Sequence, residues 1–379
     1  MNFQAVTEFL DQVDAMYGVP ACECMVFQDH RLLYHHSAGY LDYEKTVPLT
    51  GGQWYWIYSC TKLWTMTAVL QLQEQGKLTL DDPVERYLPV CADLTVREGC
   101  EIRPAKTILT IRHLMTMTGG FTYDQKLPAL EQMRARTHNC ASTRQMIDAL
   151  CQEPLAFDPG THYCYSMCHD VLAAVVEVVS GERFSDYICR HIAEPLGITG
   201  LTFRPNAAQL ANMPGQLCYH DEKKTMFRCE KDNSHQLTTN YDSGGAGICC
   251  RVEDYILFAD ALACGGVGKN GQRILSRESI ERMSTPQIQG VPLEDYHNNM
   301  KPATEGYGLG VRIHVTDDHT VPVGEFGWDG AAGATADIEP SRRLSIFYAQ
   351  HVLNYLPNYA QLHPALLQRI YRAVDNNAE

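Results

Sequence analysis

Apolar positions along the chain switch between two periods. Near the N-terminus Phe3, Val6, Phe9, Leu10, Val13 and Met16 recur at the spacing of one helical face. Residues 22–28 and 31–37 are apolar-rich runs flanking the turn residues Asp29-His30, which predicts a strand hairpin. From Ser59 the helical period returns, with Leu63, Met66, Thr67 and Leu70 on one stripe and Gly76 as the stop. Asp81-Asp82-Pro83 combines a cap with a first-turn proline and predicts another helix. The middle of the chain is helix-rich. Thr110 caps a short helix through Met117 that Gly119-Gly120 stops, and Ser142 caps one over 144–151. A strongly apolar helix over 170–179 closes at Ser180-Gly181, one over 184–192 precedes Pro195, and two more follow over 252–263 and 276–283. Strand patterns return at 307–314, 332–338 and 344–350, before a closing helix over 359–374.

Helix, strands, a long helical insert, strands and helix, in that order, predict a mixed α/β (α+β) fold. The expected core is an antiparallel sheet built from both ends of the chain, flanked by helices and carrying an inserted helical lobe. One domain is expected over 1–379. Its sheet part runs over about 1–58 and 245–379, and its helical part over about 59–244. The crevice between them is the expected site.

Composition narrows the function classes. The chain has 379 residues, 45% hydrophobic and 20% charged, as in a soluble globular protein. Its formal charge of −14, with no Lys/Arg cluster, argues against a nucleic-acid groove. No stretch reaches the roughly 18 apolar residues of a membrane span. Residues 1–19 carry Glu8, Asp11 and Asp14 without a basic, apolar leader pattern, so a cytoplasmic location is expected. The 15 cysteines then read as free thiols in a reducing compartment. No C-x-x-C pair occurs, and neither Cys22/Cys24 nor Cys164/Cys168 has zinc-site spacing, so no metal and no cofactor is expected. There is no H-E-x-x-H, no Walker loop and no G-x-S-x-G elbow.

Candidate chemistry begins at Ser59-Cys60-Thr61-Lys62. Serine and lysine three apart on a helix share a face, so an amine comes within reach of a hydroxyl. Serine needs an adjacent base, and a lysine serves when burial or a helix N-terminus lowers its pKa. The helix start also offers a backbone N–H to an oxyanion. Taken alone, the motif equally describes a helix cap and a solvated lysine. Two further segments accompany it. Tyr165-Ser166-Met167 lies between the turn Asp158-Pro159-Gly160 and the apolar helix, and a phenol beside an ammonium can relay a proton. Gly327-Trp328-Asp329-Gly330-Ala331-Ala332-Gly333 leads into a strand, its glycines allowing close approach of backbone N–H groups. Cys60, His36, His113, His162 and His169 read as packing or capping residues, and Cys164 lacks a paired histidine.

With these segments in order, the chain resembles the serine β-lactamase and penicillin-recognising superfamily. The closest likeness is to its branch of class C-like β-lactamases, D-amino-acid peptidases and family VIII carboxylesterases. The resemblance runs from about residue 20 to 350. It rests on Ile57-Tyr58-Ser59-Cys60-Thr61-Lys62, on the run from Thr110 to Gly120, and on Phe157-Asp158-Pro159-Gly160-Thr161 followed by Tyr165-Ser166. Pro195-Leu196-Gly197-Ile198, Ser243-Gly244-Gly245-Ala246-Gly247 and Trp328-Asp329-Gly330 complete it. It implies Ser59 as the acylated nucleophile, with Lys62 and Tyr165 sharing the base and acid roles. It also implies an oxyanion hole from the backbone N–H groups of Ser59 and Ala331, and substrate contacts from Met167, Trp328, Asp329 and Gly330.

Departures from the family pattern bear on substrate. Trp328 stands where the β-lactamases carry lysine, and Met167 where many relatives have asparagine. Asp329 repels an anionic ligand if it faces the cleft. Small uncharged acyl esters are therefore the expected substrates. Acyl transfer from the same acyl-enzyme, β-lactamase or D-amino-acid peptidase activity, and a non-catalytic binding role are the alternatives.

Overall fold

The computed structural model describes residues 2–317 and 321–375. The elements that position the site are helices α1 (Gln4–Asp11), α2 (Thr61–Glu74), α3 (Cys168–Ser180), α4 (Val252–Ala263) and α5 (His363–Asp375). Seven strands accompany them: β1 (Ala21–Gln28), β2 (Arg31–Gly39), β3 (Glu305–Tyr307), β4 (Arg312–His314), β5 (Phe326–Asp329), β6 (Thr335–Glu339) and β7 (Leu344–Gln350). They form one sheet in the order β3-β4-β5-β6-β7-β1-β2, every neighbouring pair antiparallel. The pairing of β1 with β7 joins the two ends of the chain, with Cys22 opposite Gln350 and Gln28 opposite Leu344.

Period-two alternation divides β1 and β7 between two apolar layers. Cys22, Cys24, Val26, Ile346 and Tyr348 face α1 and α5, where they meet Val6, Phe9, Leu10, Leu366 and Ile370. Met25, Phe27 and Phe347 face the opposite way, and Tyr255 of α4 stacks on Phe347 at 3.8 Å between ring centroids. Helix α2 lies deeper still. Every residue from Thr61 to Leu72 is buried, the signature of a helix enclosed on all sides. Its Trp64 stacks on Phe258 of α4 at 3.9 Å.

Several expected elements differ in detail. The strand expected over 307–314 is two strands, β3 and β4, because Gly308 and Gly310 turn the chain between them. Gly310 sits at φ +74°, and a Cβ on Gly308 would meet the Met283 carbonyl at 2.1 Å. The helix expected after Asp81-Asp82-Pro83 is reduced to 3₁₀ turns at Val84–Arg86 and Pro89–Asp93. Asp82 does not cap forward: its carboxylate accepts from the Thr79 N–H and hydroxyl and from Tyr87 Oη. The helix expected over 184–192 is α-helical only for Phe184–Ile188 and then widens into a π-turn at Cys189–Ala193. The hairpins Thr95–Glu98/Glu101–Pro104 and Gln216–His220/Thr225–Cys229 had no counterpart in the sequence pattern. Among the described residues no helix is long and apolar enough to cross a membrane.

Candidate active site

Ser59 stands at a sharp strand-to-helix corner. The short strand Trp54–Trp56 pairs with Cys249–Arg251, and the Ile57 N–H then donates to the Ile248 carbonyl at 3.1 Å. Tyr58 turns the chain at φ +45°, a left-handed conformation that costs a bulky residue about 1–3 kcal/mol. Its surroundings hold it there: the ring is buried and its hydroxyl donates to Gln216 Oε1 at 2.9 Å. A 3₁₀ turn over Tyr58–Cys60 then enters α2, which leaves Ser59 at the helix mouth, 8% exposed.

Lys62, one turn into α2, is fully buried. Its Nζ donates to Ser59 Oγ at 3.1 Å, to Tyr123 Oη at 3.2 Å and to the Gly245 carbonyl at 2.7 Å. Burial lowers its pKa to about 7, against the opposing pull of the Asp170 carboxylate. A neutral amine, able to take a proton from Ser59, is therefore well populated near neutral pH. Gly245 is close enough to accept because it has no side chain: a Cβ there would meet Asp170 Oδ2 at 2.6 Å and Tyr123 Oη at 2.9 Å.

The structure brings Tyr165 and Trp328 to the same place. Lys62 Nζ lies 4.7 Å from the Tyr165 ring centroid, and Trp328 Nε1 donates to Tyr165 Oη at 3.0 Å. Burial raises the Tyr165 pKa, while hydrogen bonds with Ser59 and Trp328 draw it back down. The turn after Trp328 approaches the Ser59 corner closely, since a Cβ on Gly330 would meet the Ile57 carbonyl at 2.4 Å. Tyr359 clamps that turn, its hydroxyl within reach of the Gly330 carbonyl at 2.9 Å and the Ala331 carbonyl at 3.0 Å. The Gly330 N–H is taken by Ala334 and the Cys60 N–H by Ile57. The N–H groups of Ser59 and Ala331 take no such backbone acceptor among the described residues, as an oxyanion hole requires.

The other residues expected to contact substrate are less available. Asp329 does not present a free charge to the cleft, because Lys301 Nζ pairs with it and His363 Nδ1 lies at 3.5 Å. Burial alone would raise its pKa, yet Lys301 and His363 hold the carboxyl well below the usual range. The indole N–H of Trp328 is engaged by Tyr165 instead of standing open to a ligand. Met167 is buried at the start of α3 and packs in the core, and Gly330 is buried under the Ser59 corner.

Four residues that the sequence did not single out complete the site. Tyr123 and Tyr359 carry the contacts above. Asp170, which the sequence places only at the head of an apolar helix, is a buried carboxylate. It accepts from Ser243 Oγ at 2.6 Å, Tyr241 Oη at 2.8 Å and the Gly245 N–H at 3.4 Å. His235 sets its ring edge against Tyr58 and Tyr123, and burial together with Lys62 lowers its pKa to about 4, so it is neutral. The one available signal was the glycine-rich run Ser243–Gly247, which holds two of these contacts. Asp170 is the electrostatic counterweight to Lys62. Asp170→Asn is expected to move the acid limb of the kcat/KM profile to lower pH, because removing the carboxylate lowers the amine's pKa further; a pH series on one activated ester measures it.

Among the described residues one group, Asp29, His30 and Cys264, has metal-ligating atoms close together. It sits at the β1–β2 turn, apart from the Ser59 constellation. The Arg343 guanidinium already occupies it, 2.9 Å from Asp29 and 3.4 Å from His30 Nε2.

Comparison with known proteins matches residues 6–368 to the family model described as Beta-lactamase. Protein Rv1367c of Mycobacterium tuberculosis is 26% identical over 380 residues, covering 92% of this chain and 94% of that protein. Monacolin J acid methylbutanoyltransferase of Aspergillus terreus is 33% identical over 248 residues, 61% of this chain and 56% of that protein. Among solved structures, EstCE1, described as a hydrolase with promiscuous acyltransferase activity, is similar in fold. Its TM-score is 0.78 at 22% identity, over 97% of each chain. The LovD6 mutant of simvastatin synthase from Aspergillus terreus gives a TM-score of 0.82 at 21% identity, over 98% of this chain and 97% of that one.

Proposed function

Because the chain belongs to the Beta-lactamase family, we propose that it is a serine hydrolase that cleaves small, uncharged acyl esters through an acyl-enzyme on Ser59. The observation that carries this reading is the buried amine of Lys62, 3.1 Å from Ser59 Oγ, with a pKa brought down to about 7. In acylation Lys62 takes the Ser59 proton as Oγ attacks the ester carbonyl. The carbonyl oxygen, now negative, is received by the N–H groups of Ser59 and Ala331. Tyr165 stands beside the reacting atoms to exchange a proton with the departing or incoming oxygen.

Two features favour uncharged esters over β-lactams or peptides. Trp328 replaces the family's lysine, and the nearby amine of Lys301 is already paired with Asp329. Slow nitrocefin turnover beside rapid turnover of p-nitrophenyl butyrate is expected. Comparable rates would return the assignment to amide chemistry. The free thiols throughout the chain suit a cytoplasmic location.

Acyl transfer is the second reading. It is favoured by the relative named as a methylbutanoyltransferase and by the acyltransferase activity in the description of EstCE1. An alcohol in place of water would resolve the same acyl-enzyme. Both readings share one test of the intermediate. A fluorophosphonate probe is expected to label the wild type once, at Ser59, by intact mass and peptide mapping. Absence of labelling in the folded protein would leave a binding role. Adding acceptor alcohols then separates hydrolysis from transfer by the ester product formed.

A further inference from the structure

Trp328 is buried against Tyr165. An indole N–H donates and never accepts. The 3.0 Å contact from Trp328 Nε1 therefore makes the Tyr165 oxygen an acceptor, and Tyr165's own proton points elsewhere. The indole is held in this pose. Its ring stacks on Tyr165, with centroids 5.5 Å apart and planes 24° apart, and Tyr307 closes it edge-on at 5.5 Å. Cys60 Sγ donates to the Trp328 carbonyl at 3.3 Å, and the backbone pairs with Ala336 in the sheet. A second hydrogen-bond partner of the Tyr165 hydroxyl is Ser59, where the leaving oxygen must depart.

We infer that, within the acyl-enzyme reading above, Trp328 is the positioning residue that commits Tyr165 to protonating the departing alcohol, which suits the site to esters of ordinary alkyl alcohols. The proton balance closes. In acylation Lys62 gains the Ser59 proton, the Ser59 Oγ–carbon bond forms, and the ester C–O bond breaks as its oxygen takes the Tyr165 proton. A phenolate and the Lys62 ammonium remain, the phenolate stabilised by the Trp328 N–H. In deacylation the incoming water or alcohol gives its proton to the phenolate as it attacks. Lys62 returns its proton to Ser59 Oγ as that bond breaks. The raised pKa of Tyr165 fits a group that starts each cycle protonated.

An alkyl alkoxide needs this proton and a p-nitrophenolate scarcely does, so leaving-group dependence reads the role. The test compares kcat/KM on ethyl butyrate and p-nitrophenyl butyrate. Trp328→Phe keeps an aromatic ring and removes the N–H. It is expected to lose about 10-fold more on the ethyl ester than on the activated one. Trp328→His, which retains a ring N–H, is expected to recover part of that difference. In a Tyr165→Phe background Trp328→Phe is expected to add no further discrimination between the esters. Equal losses on both esters, or the same added discrimination without Tyr165, would overturn the inference. If Trp328→Phe does not fold, the wild type and Tyr165→Phe decide: a leaving-group dependence equally steep in both overturns it. Absence of Ser59-dependent turnover of either ester by wild type would instead overturn the underlying hydrolase reading.

Discussion

Ser59→Ala is expected to lower kcat/KM on p-nitrophenyl acetate and butyrate by about 10³-fold or more, with the wild type assayed beside it. The variant removes the attacking oxygen and leaves the N–H groups of Ser59 and Ala331 in place, so only slow direct attack by water remains. The fold should persist. The Ser59 hydroxyl contacts Lys62 and Tyr165, and loss of such a hydrogen bond costs about 0.5–1.5 kcal/mol each. Circular dichroism and the thermal midpoint are accordingly expected near wild-type values. Activity retained in a folded variant would require another nucleophile. Cys164 does not fit that part, because burial raises its thiol pKa and keeps it protonated.

Lys62→Met is expected to cost about 10²- to 10⁴-fold in kcat, the range of a lost general base, at nearly constant side-chain volume. Its pH signature is more telling than its size. Below pH of about 7 the wild-type amine is protonated and cannot accept from Ser59. Wild-type kcat/KM should therefore rise through about pH 7 and level off above it. The rise should vanish in Lys62→Met. A flat wild-type profile across that interval would remove Lys62 from the base role. Stability moves in the same direction. The folded-state pKa lies below the ordinary 10.5, so between about pH 7 and that value the unfolded chain binds more protons and rising pH favours folding.

Much of this arrangement was legible because it is local. The stripe of Val6, Phe9 and Leu10 is the buried face of α1, and the strand expected over 344–350 is β7 residue for residue. The family resemblance and the mixed fold with its antiparallel sheet hold as well. What local pattern could not carry was contact made across the fold. Asp170 and Tyr123 reach Lys62 from distant segments, and nothing near them in sequence marks them as polar partners of an amine. The charge of Asp329 could not be judged without Lys301 and His363, which tertiary packing brings to it. Asp82 shows the opposite failure: a cap-and-proline signal after which only 3₁₀ turns form, the carboxylate being taken by Thr79 and Tyr87.

The pairing of Cys22 with Gln350, between strands from opposite ends of the chain, has a consequence for synthesis. On the ribosome β1 emerges early and waits for β7 on the order of half a minute at ordinary elongation rates. Throughout that interval β2 pairs with one of its edges and the edge that β7 covers has no partner, while the helices made between the two strands can form from nearby contacts. The nascent chain therefore carries an adhesive strand for most of its production, and its yield should depend on holdase chaperones and on growth temperature. Elongation pauses placed after the helical segment would lengthen that exposure, whereas fast translation of the last strands would shorten it.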